Sequence, residues 1–293
     1  MRGVKGDRPA RLCRAALFAA LPLLSGCIGE QREMELGDQI AAQINANVPL
    51  VKDIPLNLYV GDLGRLIARH SERPDLPYRF YIVDTDGVNA FALPGGHIYI
   101  NRGLIERTRN VSELAGVLAH EIGHVAARHG AKALQRQLRT RSMSHFLYST
   151  LLGREPLLND EALDVGGELW MAAHSRSDEQ EADRLAVKYL ISSGVDPRGM
   201  LSLFDEFERE EAASPEGALA SWFSTHPASH ERLLATGKTI REQLNDEESQ
   251  ELAVQVPSYR EFMHRLRALP PPDPGELYEG IPFPHDRSPL ALP

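Results

Sequence analysis

The sequence predicts an α+β fold that is mainly helical and contains one small antiparallel sheet. Three observations support this prediction. Residues with high β propensity alternate in short segments between residues 78 and 100, which is typical of strands. A capped amphipathic segment begins near residue 110, which is typical of a long helix. Further helical patterns occupy residues 33–47, 177–193 and 199–211, and the chain shows no internal repeat.

The composition is that of a folded globular protein. The 293 residues are 42% hydrophobic and 25% charged, and the formal net charge at pH 7 is −9. This negative charge argues against a nucleic-acid-binding protein, because such proteins concentrate positive charge. The two cysteines are Cys13 and Cys27. A metal site in the folded region must therefore use histidines and carboxylates.

The first 26 residues have the organisation of a secretory signal peptide. A basic segment over 1–14 precedes an apolar run over 15–24, which is too short to cross a bilayer as a mature helix. Leu24-Ser25-Gly26-Cys27 resembles the bacterial lipobox, which implies that Cys27 is acylated and that 27–32 form a tether. Ile28 in place of Asp implies the periplasmic face of the outer membrane. The alternative is an ordinary cleaved signal in which Cys27 is incidental.

Three short segments predict the strands of the sheet. Residues 78–83 alternate and are rich in β-formers, and residues 89–93 and 97–100 provide two further candidates. Pro94-Gly95-Gly96 separates the last two of these segments, so we expect a hairpin at this point.

A long helix is predicted after Asn110. Asn110 can cap the first turn, and Glu113 stands where a capping box requires an acid. The apolar side of this helix comprises Leu114, Val117, Leu118, Ile122 and Val125.

The same helix carries His120-Glu121-Ile122-Gly123-His124. His120 and His124 are one turn apart, so both imidazoles can reach one metal ion, and Glu121 can contact a water on that ion. A metzincin is excluded because Gly130 occupies the position of its third histidine. His129 lies five residues after His124, and we expect it to point away from the metal as a surface or structural histidine.

A downstream acidic pair can complete the metal site. Glu179 and Asp183 are one turn apart on a predicted helix, so one carboxylate can bind zinc while the other supports a ligand histidine. Two histidines, one glutamate and a water are the catalytic set of a gluzincin. Without the upstream motif, the same residues would indicate only a solvated helix start.

The chain resembles the HtpX and CAAX-prenyl-protease superfamily of zinc peptidases. The resemblance rests on the His120–His124 motif, on Ser175-Arg176, and on the Glu-x-x-x-Asp element formed by Glu179 and Asp183. Within it, the chain is most similar to the secreted BepA/LoiP-like lipoprotein branch. The resemblance implies one Zn²⁺ per chain, Glu179 rather than Glu181 as the third ligand, and Asp183 as the supporting acid.

The likeness covers about residues 33–238 and implies a zincin-like (gluzincin) metalloprotease domain over 33–245. The remaining residues 246–293 form a C-terminal extension with a Pro-rich tail. The transmembrane helices of HtpX and the helical repeats of the BepA-like members are absent from the sequence. Docking of partners on such repeats is therefore not supported.

The resemblance also implies roles for two further segments. His226, which precedes a proline, is expected near the metal as a movable ligand or as a donor to the transition state. His230 lies four residues later and could share a helical face with His226, but Pro227 interrupts the local geometry, so we expect a structural role for His230. Residues 89–99 resemble the edge strand and hairpin of the family, so Asn89, Ala90, Phe91 and Ala92 are expected to pair with an extended substrate.

These features predict a zinc endopeptidase that acts on unfolded or misassembled cell-envelope proteins, with Glu121 as general base. The alternative is a lipid-anchored chaperone or assembly factor with a latent metal site. A metal-free binding module requires both motifs to be coincidental, and prenyl-protein processing requires membrane-embedded helices. Residues 139–173 are either a lid or a packing insertion, and the oligomeric state is left open.

Overall fold

The structure is a computed structural model. It describes residues 29–136, 174–213, 222, 225–227, 230–244 and 252–272. The predicted signal peptide, the acylation site Cys27, the candidate lid at 139–173 and residues 273–293 of the Pro-rich tail lie outside the described residues.

The described part of the chain is mainly helical, which confirms the predicted fold class. Its elements, in chain order, are α1 (Glu30–Asn47), α2 (Ile54–Ala68), β1 (Arg79–Val83), β2 (Ala90–Leu93), β3 (His97–Asn101), α3 (Arg102–Arg107), α4 (Val111–Ala126), α5 (Arg176–Ser192), α6 (Arg198–Ala213), α7 (His230–Gln243) and α8 (Pro257–Arg267). Residues 129–136 are also helical. None of the helices in the described ranges has the length and apolar character needed to cross a membrane.

The three strands form a mixed sheet in the order β1-β3-β2. β2 and β3 are antiparallel, as the hairpin predicts, but β1 and β3 are parallel. The expectation of a wholly antiparallel sheet is therefore wrong for this pair. After β1, the chain reverses and places β2 at the far edge, and β3 then returns between them. β3 must consequently run in the direction of β1.

The turn between β2 and β3 is packed against α1. Gly95 and Gly96 have φ values of 79° and 89°, which glycine adopts at little cost. A Cβ on Gly37 of α1 would lie 1.9 Å from the carbonyl oxygen of Pro94. Only glycine permits this approach, so α1 fixes the position of the hairpin.

Helix α4 is the centre of the core. The Asn110 side chain accepts a hydrogen bond from the Glu113 amide at 2.9 Å, as predicted. The Glu113 carboxylate accepts from the amide of Arg109 at 2.7 Å rather than from that of Asn110, so the predicted capping box is only half formed. A Cβ on Gly123 would lie 2.8 Å from the carbonyl oxygen of Ala182. Helices α4 and α5 therefore meet almost backbone to backbone.

Helix α8 lies within the predicted C-terminal extension, yet it packs into the same core. Tyr259, Phe262 and Leu266 are buried. The ring of Phe262 stacks on Tyr59 of α2 with centroids 4.4 Å apart. The extension thus contributes part of the scaffold that holds α2, while the domain boundary at residue 245 stays a prediction.

Candidate metal centre

Helices α4 and α5 bring the three predicted ligands together. The Nε2 atoms of His120 and His124 are 3.1 Å apart. The carboxylate of Glu179 lies 3.3 Å from Nε2 of His124 and 3.5 Å from Nε2 of His120. α5 begins with a capping box between Ser175 and Asp178, which places Glu179 in the first turn and directs it at α4.

These separations fit a tetrahedral zinc ion. Ligand atoms about 2.1 Å from such an ion lie about 3.4 Å apart, close to the three distances found. His120, His124, Glu179 and His226 are buried, and one ligand atom of each lies within 4.8 Å of those of the others. Two imidazole nitrogens this close require a proton or a metal cation between them, so the chemistry of the donor set also suits zinc.

Glu121 faces the same cluster but is not one of the residues whose atoms could bind the metal. Its side chain is buried, and neither carboxylate oxygen accepts a hydrogen bond from the described residues. Burial raises the pKa of Glu121, which suits a group that must take up and release a proton near neutral pH. Nε2 of His226 lies 3.4 Å from Oε1 of Glu121.

His226 lies where the sequence analysis expected it, beside the ligands. Its Nδ1 is 3.2 Å from Nε2 of His120 and 3.2 Å from Oε1 of Glu179. Trp222 stacks on the His226 ring with centroids 4.5 Å apart. The His226 imidazole is therefore held in reach of a metal bound by the other three residues. His230, in contrast, is exposed at the start of α7.

Asp183 supports His120 from behind, and Arg232 of α7 holds Asp183. Oδ1 of Asp183 lies 2.9 Å from Nδ1 of His120. Arg232 donates to both Asp183 oxygens at 2.9 and 3.0 Å, and its Nη1 lies 2.6 Å from Oε2 of Glu179. Arg232 was not predicted from the sequence. The available signal was charge, because two buried carboxylates on one helix face require a cation within reach.

The two ligand histidines differ in their proton affinity. Burial lowers the pKa of His120, but the contacts with Asp183 and Glu179 outweigh it and raise the pKa to about 10. Burial lowers the pKa of His124 well below its usual value, and the contact with Glu179 does not compensate. Of these two histidines in the metal-free protein, His120 is therefore the one that is doubly protonated and positively charged near neutral pH.

Two further histidines adjoin His124, and the sequence analysis assigned neither a role at the site. His129 is buried, and its Nδ1 lies 3.0 Å from Nδ1 of His124. It does not point away from the site as expected, because the chain leaves the regular helix at Arg128, whose φ is 59°. The ring of His174 lies 4.0 Å from that of His124, centroid to centroid. Helical periodicity alone cannot indicate either contact.

The predicted substrate strand borders the metal cluster. The carbonyl oxygen of Asn89 accepts from the amide of Asn101 in β3 at 2.9 Å. Because backbone groups of successive strand residues face opposite edges, those of Ala90 and Ala92 face the other, open edge of β2, which no strand of the described residues occupies. The carbonyl oxygen of Ala90 lies 3.3 Å from Nε2 of His226. Phe91 stacks on Tyr99 of β3.

Comparison with known proteins gives consistent results. The model of the family "Peptidase family M48" matches residues 56–240, a range that contains the whole metal cluster. The beta-barrel assembly-enhancing proteases of Escherichia coli K12 and Yersinia pestis are 33% and 35% identical to the chain over 69% of its length and 42% of theirs. The mitochondrial metalloendopeptidase OMA1 of Schizosaccharomyces pombe is 30% identical over 61% of the chain and 51% of its own length. The match thus spans less than half of these bacterial relatives.

Proposed function

Since the chain belongs to peptidase family M48, we propose that it is a zinc endopeptidase that hydrolyses unfolded or misassembled proteins of the bacterial cell envelope. The observation that carries this proposal is the buried cluster of His120, His124 and Glu179, with the Glu121 carboxylate beside it accepting no hydrogen bond from the described residues. A purely structural zinc site has no need of such an acid.

The proposed mechanism divides the work between the ion and the chain. Zinc held by His120, His124 and Glu179 supplies a Lewis acid that polarises the peptide carbonyl and increases the acidity of a water. Glu121 takes a proton from the attacking water and later delivers it to the leaving amine. His226 is close enough to the ligands to donate a hydrogen bond to the oxyanion.

The open edge of β2 is the proposed binding site for the substrate backbone. An extended peptide can pair with Ala90 and Ala92 by strand addition, which places it beside the metal cluster. This mode requires an unfolded segment and therefore suits quality control. Ala92→Pro removes one main-chain donor from the edge. We expect it to raise KM for unfolded casein while leaving zinc content unchanged, and an unaltered KM would contradict strand addition.

We further propose that residues 1–26 are removed as a signal peptide. Acylated Cys27 then anchors the chain to the outer membrane through the tether 27–32, and the protein faces the periplasm. The bacterial relatives are named beta-barrel assembly-enhancing proteases, which supports a substrate among outer-membrane proteins. Cys27→Ser should move the protein from the membrane fraction to the soluble fraction. Retention in the membrane fraction would contradict the anchor.

The proposed activity is tested with the mature chain loaded with zinc and its Glu121→Gln variant. Cleavage of unfolded casein is measured together with the zinc content of both proteins. We expect the parent to cleave and the variant to be inactive while each binds about one zinc. Cleavage by the variant at the rate of the parent would remove Glu121 from the mechanism.

One observation favours the alternative of a latent metal site. Nδ1 of His226 lies as close to the ligands as they lie to one another, so it can serve as a fourth protein ligand and close the site. If neither protein cleaves casein despite bound zinc, His226→Ala should release activity in the latent protease. Continued inactivity of that variant would favour a chaperone or assembly factor.

A further inference from the structure

The two ligand histidines on α4 are supported by different groups. Both face the cluster through Nε2, so zinc binding leaves the remaining ring proton on Nδ1. A metal-bound histidine normally donates this proton to a carboxylate, a carbonyl or a water. Nδ1 of His120 faces Asp183, whereas Nδ1 of His124 faces a second imidazole, that of His129, at 3.0 Å.

This contact determines the tautomer of His129. Because Nδ1 of zinc-bound His124 can only donate, Nδ1 of His129 must accept and its proton must lie on Nε2. Nε2 of His129 lies 3.2 Å from Oε2 of Glu181 and 3.6 Å from Oδ1 of Asp178. Glu181 is therefore the nearest acceptor for the second proton, and the chain of donors runs from His124 through His129 to Glu181.

We propose that His129 and Glu181 form a hydrogen-bond relay that positions His124 for zinc. The relay rests on the proposed function only in requiring that zinc binds at this site. His129 and Glu181 do not contact the ion and are positioning residues. The relay holds the His124 ring at the angle that directs Nε2 to the metal, and the carboxylate increases the electron density on the imidazole that zinc binds.

The backbone around His129 is shaped for this contact. Arg128 adopts a φ of 59°, which a residue with a side chain rarely adopts. Nε of Arg128 donates to Oε2 of Glu33 on α1 at 2.7 Å. Glu33 is buried, and its other oxygen accepts from Arg73 at 2.8 Å. The turn that directs His129 at His124 is thus held by the ion pairs of Arg128 and Arg73 with the buried Glu33.

The relay is tested by zinc affinity, measured in competition with a chelator, for two substitutions at one position. In His129→Asn, the amide oxygen takes the place of Nδ1 and still accepts from His124. His129→Leu has similar bulk and no acceptor. We expect His129→Leu to weaken zinc binding about 10- to 100-fold and His129→Asn to bind almost as tightly as the parent. Equal affinities of these two variants would overturn the relay.

Two measurements guard against a loss of folding in His129→Leu. Glu181 is 44% exposed, so Glu181→Leu should fold, and we expect weaker zinc binding than in Glu181→Gln, whose amide oxygen still accepts. Equal binding by these variants would contradict the role of Glu181.

In the zinc-loaded parent, long-range ¹H–¹⁵N spectra should show the His129 proton on Nε2, and a proton on Nδ1 would refute the relay. Neither readout depends on proteolysis.

Discussion

His120 and His124 are neighbours on one helix, but the sides of the metal site behind them differ. On the His120 side, the supporting carboxylate of Asp183 is 4% exposed and is held by the guanidinium of Arg232. On the His124 side, the neutral ring of His129 lies between the ligand and a carboxylate that is 44% exposed. Charge is therefore concentrated deep in the core behind His120, while the support of His124 extends towards the surface.

The largest effect is expected when the buried cation behind His120 is removed. Arg232→Met leaves the carboxylates of Asp183 and Glu179 buried without their guanidinium. Breaking such a buried pair typically costs about 3–5 kcal/mol of unfolding free energy, which urea denaturation of the metal-free protein would measure. The matched control is Arg265→Met, because the Arg265 side chain is exposed and pairs with Asp53 at the surface. This variant should lose much less unfolding free energy. Similar losses in both variants would refute the contrast.

A second pair of substitutions compares the two supporting carboxylates directly. Asp183→Asn replaces the charged acceptor of His120, and we expect zinc affinity to fall about 10- to 100-fold. Glu181→Gln changes the same group at the end of the His129 relay. Since the Glu181 carboxylate is 44% exposed and acts on His124 only through His129, the effect of this substitution on zinc affinity should be much smaller. A reversed order of the two affinities would show that the deep carboxylate is not the stronger support.

Both supporting carboxylates, Asp183 and Glu181, lie on α5, so separating α4 from α5 should weaken the two supports together. A Cβ at Gly123 meets the backbone of Ala182 at 2.8 Å. Gly123→Ala should therefore destabilise the protein by about 1–3 kcal/mol, as overpacking does, and weaken zinc binding. Gly237→Ala is the control, because its Cβ meets only side chains at 3.4 Å or more and alanine favours the helix. Thermal unfolding of both variants checks this, and equal Tm values would contradict the close contact.

The smallest expected effect concerns the protons that zinc binding releases, because the two ligand histidines differ in their pKa. The folded-state pKa of His120 is about 10, whereas the unfolded value is about 6.5. The stabilisation by protonated His120 is thus complete below pH 6.5 and is lost as the pH rises towards 10. His124, with a lowered pKa, has no proton to release at pH 8. Zinc binding at that pH should release about one proton from the two histidines.

Calorimetry in buffers of different ionisation enthalpy measures this release. In Asp183→Asn, the neutral amide no longer raises the pKa of His120, so the release should fall. If zinc binding releases no proton from the parent at pH 8, the assigned difference between His120 and His124 is wrong.

Much of this site could be predicted from sequence because helical periodicity fixes which side chains share a face. That argument places His120 beside His124 and Glu179 one turn from Asp183, and the distances agree with it. It fails where the chain leaves the regular helix. Nothing in the residue pattern indicates the left-handed Arg128, so the contact of the next residue with His124 was missed.

The partners that are distant in sequence were harder to predict. Arg232 reaches the acids of α5 only because α7 packs on that helix, and a single sequence does not show such packing. The mixed sheet has the same origin, since the order of strands depends on which edge β2 occupies. Local patterns determined the elements and the ligands, while tertiary packing determined the groups that support them.

The central claim is tested most directly by anomalous diffraction at the zinc edge on crystals of the zinc-loaded protein. The account predicts one strong peak per chain, about 2.0–2.2 Å from Nε2 of His120, Nε2 of His124 and the carboxylate of Glu179. It also predicts that Nδ1 of His124 still faces His129. The absence of a peak at this cluster, or a peak that lacks either histidine as ligand, would contradict the account.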